Sequence, residues 1–190
     1  MLMAHSIGQV VLLTGPSEIG KTSVCTETVR LAQQAGFTCA GVLSPARFAR
    51  GVKVGIDLLD VSTGERRLLA NVVASMSQAT VGRFRFKSEA LAWGTARLRN
   101  LPDSDLWVID ELGPLELEQG RGWAVALGTL CTGRFHLALV VVRPHLLVVA
   151  REKLACRSLI VWSVTSSNRD ILPHRILNML EQSVWSKSRI

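Results

Sequence analysis

The sequence predicts an α/β fold, a mostly parallel sheet flanked by helices with an inserted β-hairpin. Three observations carry this reading. Short unbroken aliphatic runs such as "QVVLLTG", "DLWVIDE" and "FHLALVVVR" recur along the chain, and strands without polar alternation are those buried on both faces of a parallel sheet. Segments with helical spacing separate these runs, as crossover connections require. The chain has 190 residues, 48% hydrophobic and 19% charged, which suits one folded domain over residues 1–190 with one sizeable core. Aromatics are only 5% and Tyr is absent, so that core must be mostly aliphatic.

The elements follow in order. "QVVLLTG" is a buried strand that runs into a Gly-rich loop. Val24, Thr28, Leu31 and Ala35 then recur at helical spacing, and Gly36 closes the helix. "FTCAGVLS" is a second strand. "VKVGIDLLDV" and "ERRLLANV" flank "STG" and read as the hairpin, near 52–72. "SEALAWGTARLRNL" is a helix with Leu91, Thr95 and Leu98 on one face. "DLWVIDE" is a strand ending in two acids, "WAVALGTLC" a short helix, and "FHLALVVVR" another buried strand. "LLVVAREKLA" fits helix and strand equally. "SLIVWSVT" is the last strand. "DILPHRILNMLEQSVW" is a closing helix with Ile176, Met179 and Leu180 inward and Pro173 in its first turn.

The formal net charge of +7 favours anionic partners: nucleotides, nucleic acid or an acidic surface. No dense basic block or aromatic-interleaved stripe occurs, and "RFARGVK" is the nearest approach to one, so nucleic acid is a weakly supported partner. The four cysteines, Cys25, Cys39, Cys131 and Cys156, form no C-x-x-C pair. That spacing argues against a zinc ribbon and points to reduced thiols in a cytoplasmic protein, with Cys25 a small packing residue on a helix. No signal peptide is expected in "MLMAHSIGQVVLLTG". "LALVVVRPHLLVVA" is too short and too broken by Arg143, Pro144 and His145 to span a bilayer.

The chemistry sits in "GPSEIGKTS", which satisfies Gly-x-x-x-x-Gly-Lys-Thr with Gly15, Gly20, Lys21 and Thr22, the Walker A pattern. It follows a strand and opens a helix, as its mechanism requires. Backbone N–H groups of Gly15, Pro16, Ser17, Glu18, Ile19, Gly20, Lys21, Thr22 and Ser23 (Pro16 excepted, which has none) form a phosphate cradle at a helix N-terminus. Lys21 reaches the β- and γ-phosphates and the Thr22 hydroxyl is a Mg²⁺ ligand. Glu18 is an acid within an anion-binding loop, and its side chain is expected to face solvent. In "LWVIDE" the strand delivers Asp110 as second metal ligand and Glu111 as the base that activates water. "DELG" also makes the Gly113 amide a candidate γ-phosphate contact. No Asn-Lys-x-Asp occurs, so the usual guanine-reading element is missing. Asn168 and Arg169, after the last strand, are candidates to contact the base, Asn168 as donor and acceptor and Arg169 by stacking; alternatively Asn168 or Asp170 is a helix N-cap. Arg143, at another strand end, is either a cation for γ-phosphate charge or a plain loop arginine.

These residues resemble the THEP-type nucleoside-triphosphatases, the family that includes cancer-related nucleoside-triphosphatase. "GPSEIGKTS", "GVLSP", "VGIDLLDVSTGERRLLA", "VGRFRF", "VIDELGPLEL" and "VTSSNRDILPHRIL" stand in the family's order over nearly the whole length. The resemblance implies a RecA-like P-loop fold, slow Mg²⁺-dependent hydrolysis of ATP, GTP and other nucleoside triphosphates to diphosphates, and Asp110 and Glu111 as the Walker B pair. Ala46-Arg47-Phe48-Ala49-Arg50 and Pro16-Ser17-Glu18 depart from the family's usual sequence. A triphosphate phosphohydrolase is therefore the first expectation. A small nucleotide or nucleoside kinase without an Arg-rich lid is the second. An NTP-binding switch or loading factor needing a partner is the third. The preferred base and the oligomeric state are left open.

Overall fold

A computed structural model describes residues 8–73, 80–81 and 84–185. "MLMAHSI" at the N-terminus and Gly82 and Arg83 of "VGRFRF" lie outside the described residues. The strands are β1 Gln9–Thr14, β2 Cys39–Leu43, β3 Ala46–Ala49, β4 Val52–Asp60, β5 Arg66–Val72, β6 Thr80–Val81, β7 Phe84–Phe86, β8 Ser104–Leu112, β9 Phe135–Val142 and β10 Ser158–Ser163. The helices are α1 Lys21–Gln34, α2 Ser88–Arg99, α3 Pro114–Leu117, α4 Val125–Thr132, α5 Leu147–Lys153 and α6 Leu172–Trp185.

Among the described residues the strands form a 10-stranded sheet in the order β10-β1-β9-β8-β2-β4-β5-β7-β6, with β3 paired to β4. The pairs β10–β1, β1–β9, β9–β8 and β8–β2 are parallel. β4 then runs antiparallel to β2, as do the pairs beyond it. The expected hairpin is thus β4–β5, and it is the centre of a larger antiparallel extension. β3, β6 and β7 are too short for a periodicity of two to register in the sequence.

The parallel half is buried from both sides. Val10 and Leu12 of β1 pack into one apolar layer with α2, α4 and α5, while Val11 and Leu13 pack into a second with α1 and α6. All four are 0% exposed, which is why their run lacks polar alternation. In α1 the inward face is Val24, Cys25, Thr28, Val29 and Ala32, whereas Leu31 and Ala35 lie further outward than their spacing suggested. In α2 the buried face is Ala90, Gly94 and Leu98. Leu91 and Thr95 are only half-buried, and bare Gly94 lets the Trp123 indole reach the helix. "LLVVAREKLA" resolves as the helix α5, entered through a 3₁₀ turn at Pro144–Leu146.

The expectation of four reduced thiols is corrected. Cys131 and Cys156 form a disulfide across 25 residues of sequence, because the turn after α5 returns to the end of α4. Cys25 and Cys39 are free and buried. Burial pushes the Cys25 thiol well above its ordinary value and Cys39 up to about 12, so both are packing groups and not nucleophiles. No helix among the described residues is long and apolar enough to cross a membrane.

β2 joins the two halves, and Gly41 makes the junction possible. Its φ is +120°, and a Cβ there would stand 1.9 Å from the Val108 carbonyl oxygen of β8. Gly41→Ala is expected to cost at least about 3 kcal/mol, since both strain and a backbone clash apply. At roughly 2–4 °C per kcal/mol for a chain of this size, melting should fall by roughly 6–12 °C, which a thermal unfolding scan would show.

Candidate active site

β1 ends at the phosphate loop. Gly15 has φ +147°, and a Cβ on it would lie 2.7 Å from the Val164 carbonyl oxygen, so the turn out of the strand needs a glycine. Gly20, at φ +107°, starts α1 without a side-chain cap, and no acid occupies the first helical turn. The first-turn N–H groups, unpaired within any α-helix, are therefore left to an anion. Lys21 is buried, and its Nζ donates to the carbonyls of Gly15 at 2.8 Å and Pro16 at 2.7 Å. Burial lowers its pKa, while Glu111 and Asp110 pull it back up. Glu18 stands at φ +63°. Its side chain is 66% exposed, with Oε1 3.9 Å from Lys53 Nζ of β4. The carboxylate faces solvent and the antiparallel extension.

β8 supplies the acids. Asp110 is 2% exposed. Its Oδ2 accepts the Ser44 N–H at 3.1 Å, and the Thr22 hydroxyl favours the charged form of the same carboxylate. The Ser44 hydroxyl donates to the Asp110 carbonyl at 2.5 Å. Burial raises the Asp110 carboxyl to about 6, and the Ser44 N–H and the Thr22 hydroxyl oppose the rise. The Asp110–Glu111 peptide is cis. Glu111 Oε1 accepts Arg143 Nε–H at 2.7 Å, with the glutamate side chain 30% and the arginine 50% exposed. Arg143 follows β9, the strand lying between loop-bearing β1 and acid-bearing β8.

The expected metal ligands, Thr22 and Asp110, thus stand close enough for the hydroxyl to act on the carboxyl. A carboxylate beside a hydroxyl is a hard-oxygen pair that suits Mg²⁺, which takes one or two protein oxygens and completes its shell with phosphate and water. No cluster of three or more His, Cys, Asp or Glu able to hold a metal occurs among the described residues, so a zinc-type cage has no ligands there.

The loop after β10 lies on the other side of α1. Asn168 uses both ends of its amide to close its own turn: Oδ1 accepts the Thr165 N–H at 2.8 Å, and Nδ2 donates to the Ser163 carbonyl at 2.9 Å. It does not cap α6, which begins at Leu172. The Arg169 side chain lies against the phosphate loop, its Cδ 3.5 Å from where a Cβ on Gly20 would be, and its Nε donates to Asp170 at 3.2 Å. An open cleft of about 460 Å³ runs here between Ser23, Glu27, Arg169 and Pro173. It has room for a base, with the guanidinium as a stacking surface.

The Gly113 amide is not free for a γ-phosphate. It donates to Glu116 Oε2 at 2.9 Å, and the other oxygen of Glu116 accepts the Trp123 N–H at 3.1 Å. The sequence pattern missed that a buried acid three residues on claims the amide. It also missed Ser44, whose visible signal was its place at a strand end before Pro45.

Two outcomes follow. Glu18→Gln should leave nucleotide affinity within about twofold in a binding titration, because exposed pairs of this kind contribute roughly 0–1 kcal/mol. Asp110→Asn should raise the melting temperature measured in EDTA, since it removes a buried charge whose folded pKa is raised, at roughly 2–4 °C per kcal/mol. The same change should remove Mg²⁺-supported hydrolysis.

The sequence pattern of the family described as NTPase matches residues 10–177. "Nucleoside-triphosphatase THEP1" of Methanopyrus kandleri is 31% identical over 183 residues, covering 94% of this chain and 98% of the relative. The protein of the same name from Thermofilum pendens is 32% identical over 167 residues, covering 87% and 91%. The solution structure of a human cancer-related nucleoside triphosphatase superposes with a TM-score of 0.72 at 23% identity, over 93% of this chain and 99% of that one. The crystal structure of THEP1 from Aquifex aeolicus gives 0.61 at 16% identity, over 91% and 99%. With the phosphate loop, the buried aspartate and the adjoining glutamate assembled at one end of the sheet, the chain belongs to the NTPase family.

Proposed function

We propose that the chain, acting as one catalytic domain over residues 1–190, hydrolyses nucleoside triphosphates to diphosphate and phosphate in a Mg²⁺-dependent reaction. The observation that supports it best is the placement of a partly exposed carboxylate, Glu111, next to the buried Asp110 and the half-buried Thr22. The loop amides and the N-terminus of α1 bind the β- and γ-phosphates. Lys21, already held inward by the Gly15 and Pro16 carbonyls, supplies a fixed positive charge where negative charge grows in the transition state. Thr22 and Asp110 would hold Mg²⁺, which neutralises phosphate charge and orients the γ-phosphoryl group.

Glu111 takes a proton from a water, whose oxygen attacks the γ-phosphorus. The bond from that phosphorus to the β–γ bridging oxygen breaks, and its electron pair leaves with the diphosphate. Arg169 and the cleft beside Gly20 and Ser23 hold the base, with Asn168 fixing the turn that presents Arg169. A stacking arginine reads no hydrogen-bond edge, so discrimination between bases should be weak. An aqueous, cytoplasmic setting fits the +7 charge and a triphosphate substrate.

Phosphate release from ATP, GTP, CTP and UTP, with Mg²⁺ and with EDTA, tests the reading. Similar rates on all four, lost in EDTA, are expected. Glu111→Gln should lower kcat by about 100-fold or more, and Lys21→Ala should lower kcat/KM further. A Glu111→Gln protein as fast as wild type would remove Glu111 as the base. Release that starts only when a nucleoside or nucleotide acceptor is added would turn the reading to a kinase.

A further inference from the structure

Arg143 is a cation near the acids of the site whose hydrogen-bonding capacity is mostly unspent among the described residues. A guanidinium has five N–H donors in a rigid fork. Only Nε–H has a partner among the described residues, Glu111 Oε1 at 2.7 Å. The four N–H groups on the terminal nitrogens have none there, and the side chain is 50% exposed. Its position is central. β9 separates β1, which carries the phosphate loop, from β8, which carries Asp110 and Glu111, and Arg143 is the first residue beyond it. Pro144 follows at once and opens the 3₁₀ turn, which fixes the backbone that aims the side chain. Arg143 meets Glu111 directly, and Glu111 adjoins Asp110 at the end of β8, so the arginine and the two acids share one neighbourhood. In that neighbourhood the γ-phosphate would sit beyond Lys21, on the side of the acids.

We propose that Arg143 bridges the base to the substrate, with Nε–H holding Glu111 and the terminal N–H groups taking γ-phosphate oxygens. This rests on the reading of Glu111 as the base. The bridge does two things. It leaves Glu111 Oε2 as the oxygen directed at the attacking water, because Oε1 is occupied. It also orients that oxygen with respect to the γ-phosphate itself, so that the base is aligned only over a triphosphate. A diphosphate, lacking the γ group, gains nothing from Arg143. Lysine cannot replace it, because a single ammonium cannot present the two divergent edges of the fork.

The test separates triphosphate binding from chemistry. Affinities for a non-hydrolysable ATP analogue and for ADP are measured by calorimetry in Mg²⁺ buffer for wild type, Arg143→Ala, Arg143→Lys and Arg143→Gln, alongside kcat and KM for ATP. Arg143→Ala should weaken the triphosphate analogue by roughly 10–100-fold, the worth of one or two charge-assisted hydrogen bonds, and leave ADP within about twofold. It should also lower kcat. Arg143→Lys should recover part of the analogue affinity and little of kcat. In a Glu111→Gln background, Arg143→Ala should lower kcat far less than it does alone, since the two act as a unit. An analogue-to-ADP affinity ratio that stays within about twofold of wild type in a folded Arg143→Ala or Arg143→Gln protein overturns the bridge. The base assignment fails differently: Glu111→Gln would then turn over like wild type, while the Arg143 affinity ratio still collapsed.

Discussion

The site depends on one constraint, a carboxylate buried at the end of a central strand. Asp110 is 2% exposed, and a charge so placed must find partners or lose its proton. Its partners come from separate elements: the Ser44 N–H just beyond β2 and the Thr22 hydroxyl on α1. Satisfying one side chain therefore fixes β2, β8 and α1 relative to one another. It also explains how the acid reaches the phosphate loop although β9 stands between their strands. α1 lies across the sheet from the end of β1, and its first turn spans the gap. What the hydrogen bonds leave uncompensated shows in the carboxyl, which burial lifts to about 6. A divalent cation at Asp110 and Thr22 is the group that would complete the compensation, which ties the proposed metal to the fold's own electrostatics.

The phosphate loop divides its work between backbone and side chains. Anion binding at a helix N-terminus uses backbone amides, so side chains at the variable positions of the loop are free to point elsewhere. Glu18 shows how far that freedom goes: an acid in an anion-binding loop is tolerated because its carboxylate is 66% exposed and leans toward Lys53. Lys21 is the opposite case. It is buried at a cost to its own protonation and tethered by two carbonyls, so its charge is placed before substrate arrives. Fixed charges of this kind need no reorganisation in the transition state.

How much of this was legible follows from which signals are local. Gly15 through Thr22 and the run into Asp110 and Glu111 are contiguous, and their spacing reports a backbone geometry directly. The long strands and helices carry clear periodicities and stood where their patterns put them. What escaped was non-local. The partner of Glu111 lies 32 residues away, and the disulfide closes 25 residues. No single-sequence period encodes either. Gly113 failed for a related reason: its amide was judged from a four-residue pattern, while Glu116, held at 8% exposure and also bonded to the Trp123 N–H, had already claimed it.

The two halves of the sheet are held by different forces. The parallel half sits between two aliphatic layers, with strands such as β9 buried along most of their length. The antiparallel extension buries less: β3 is mostly exposed, and Phe48 and Val52 near its tip are 63% and 65% exposed. Leu58 and Leu69 still reach the apolar core, and acids at the base of the extension add to that anchor. Asp57, 4% exposed, meets Arg47 at 2.9 Å and Arg66 at 3.5 Å, while Asp60, 3% exposed, meets Arg97 at 3.2 Å. Ion pairs whose arginine ends are half in water hold geometry more than they add stability. Opening of the extension therefore exposes far less apolar surface than opening of the parallel half, and free energies of local opening scale with what is exposed. The extension that carries Lys53, beside Glu18, is thus less costly to open at its tip than the parallel half, on which the groups placed to perform the chemistry, Lys21, Thr22, Asp110, Glu111 and Arg143, all stand.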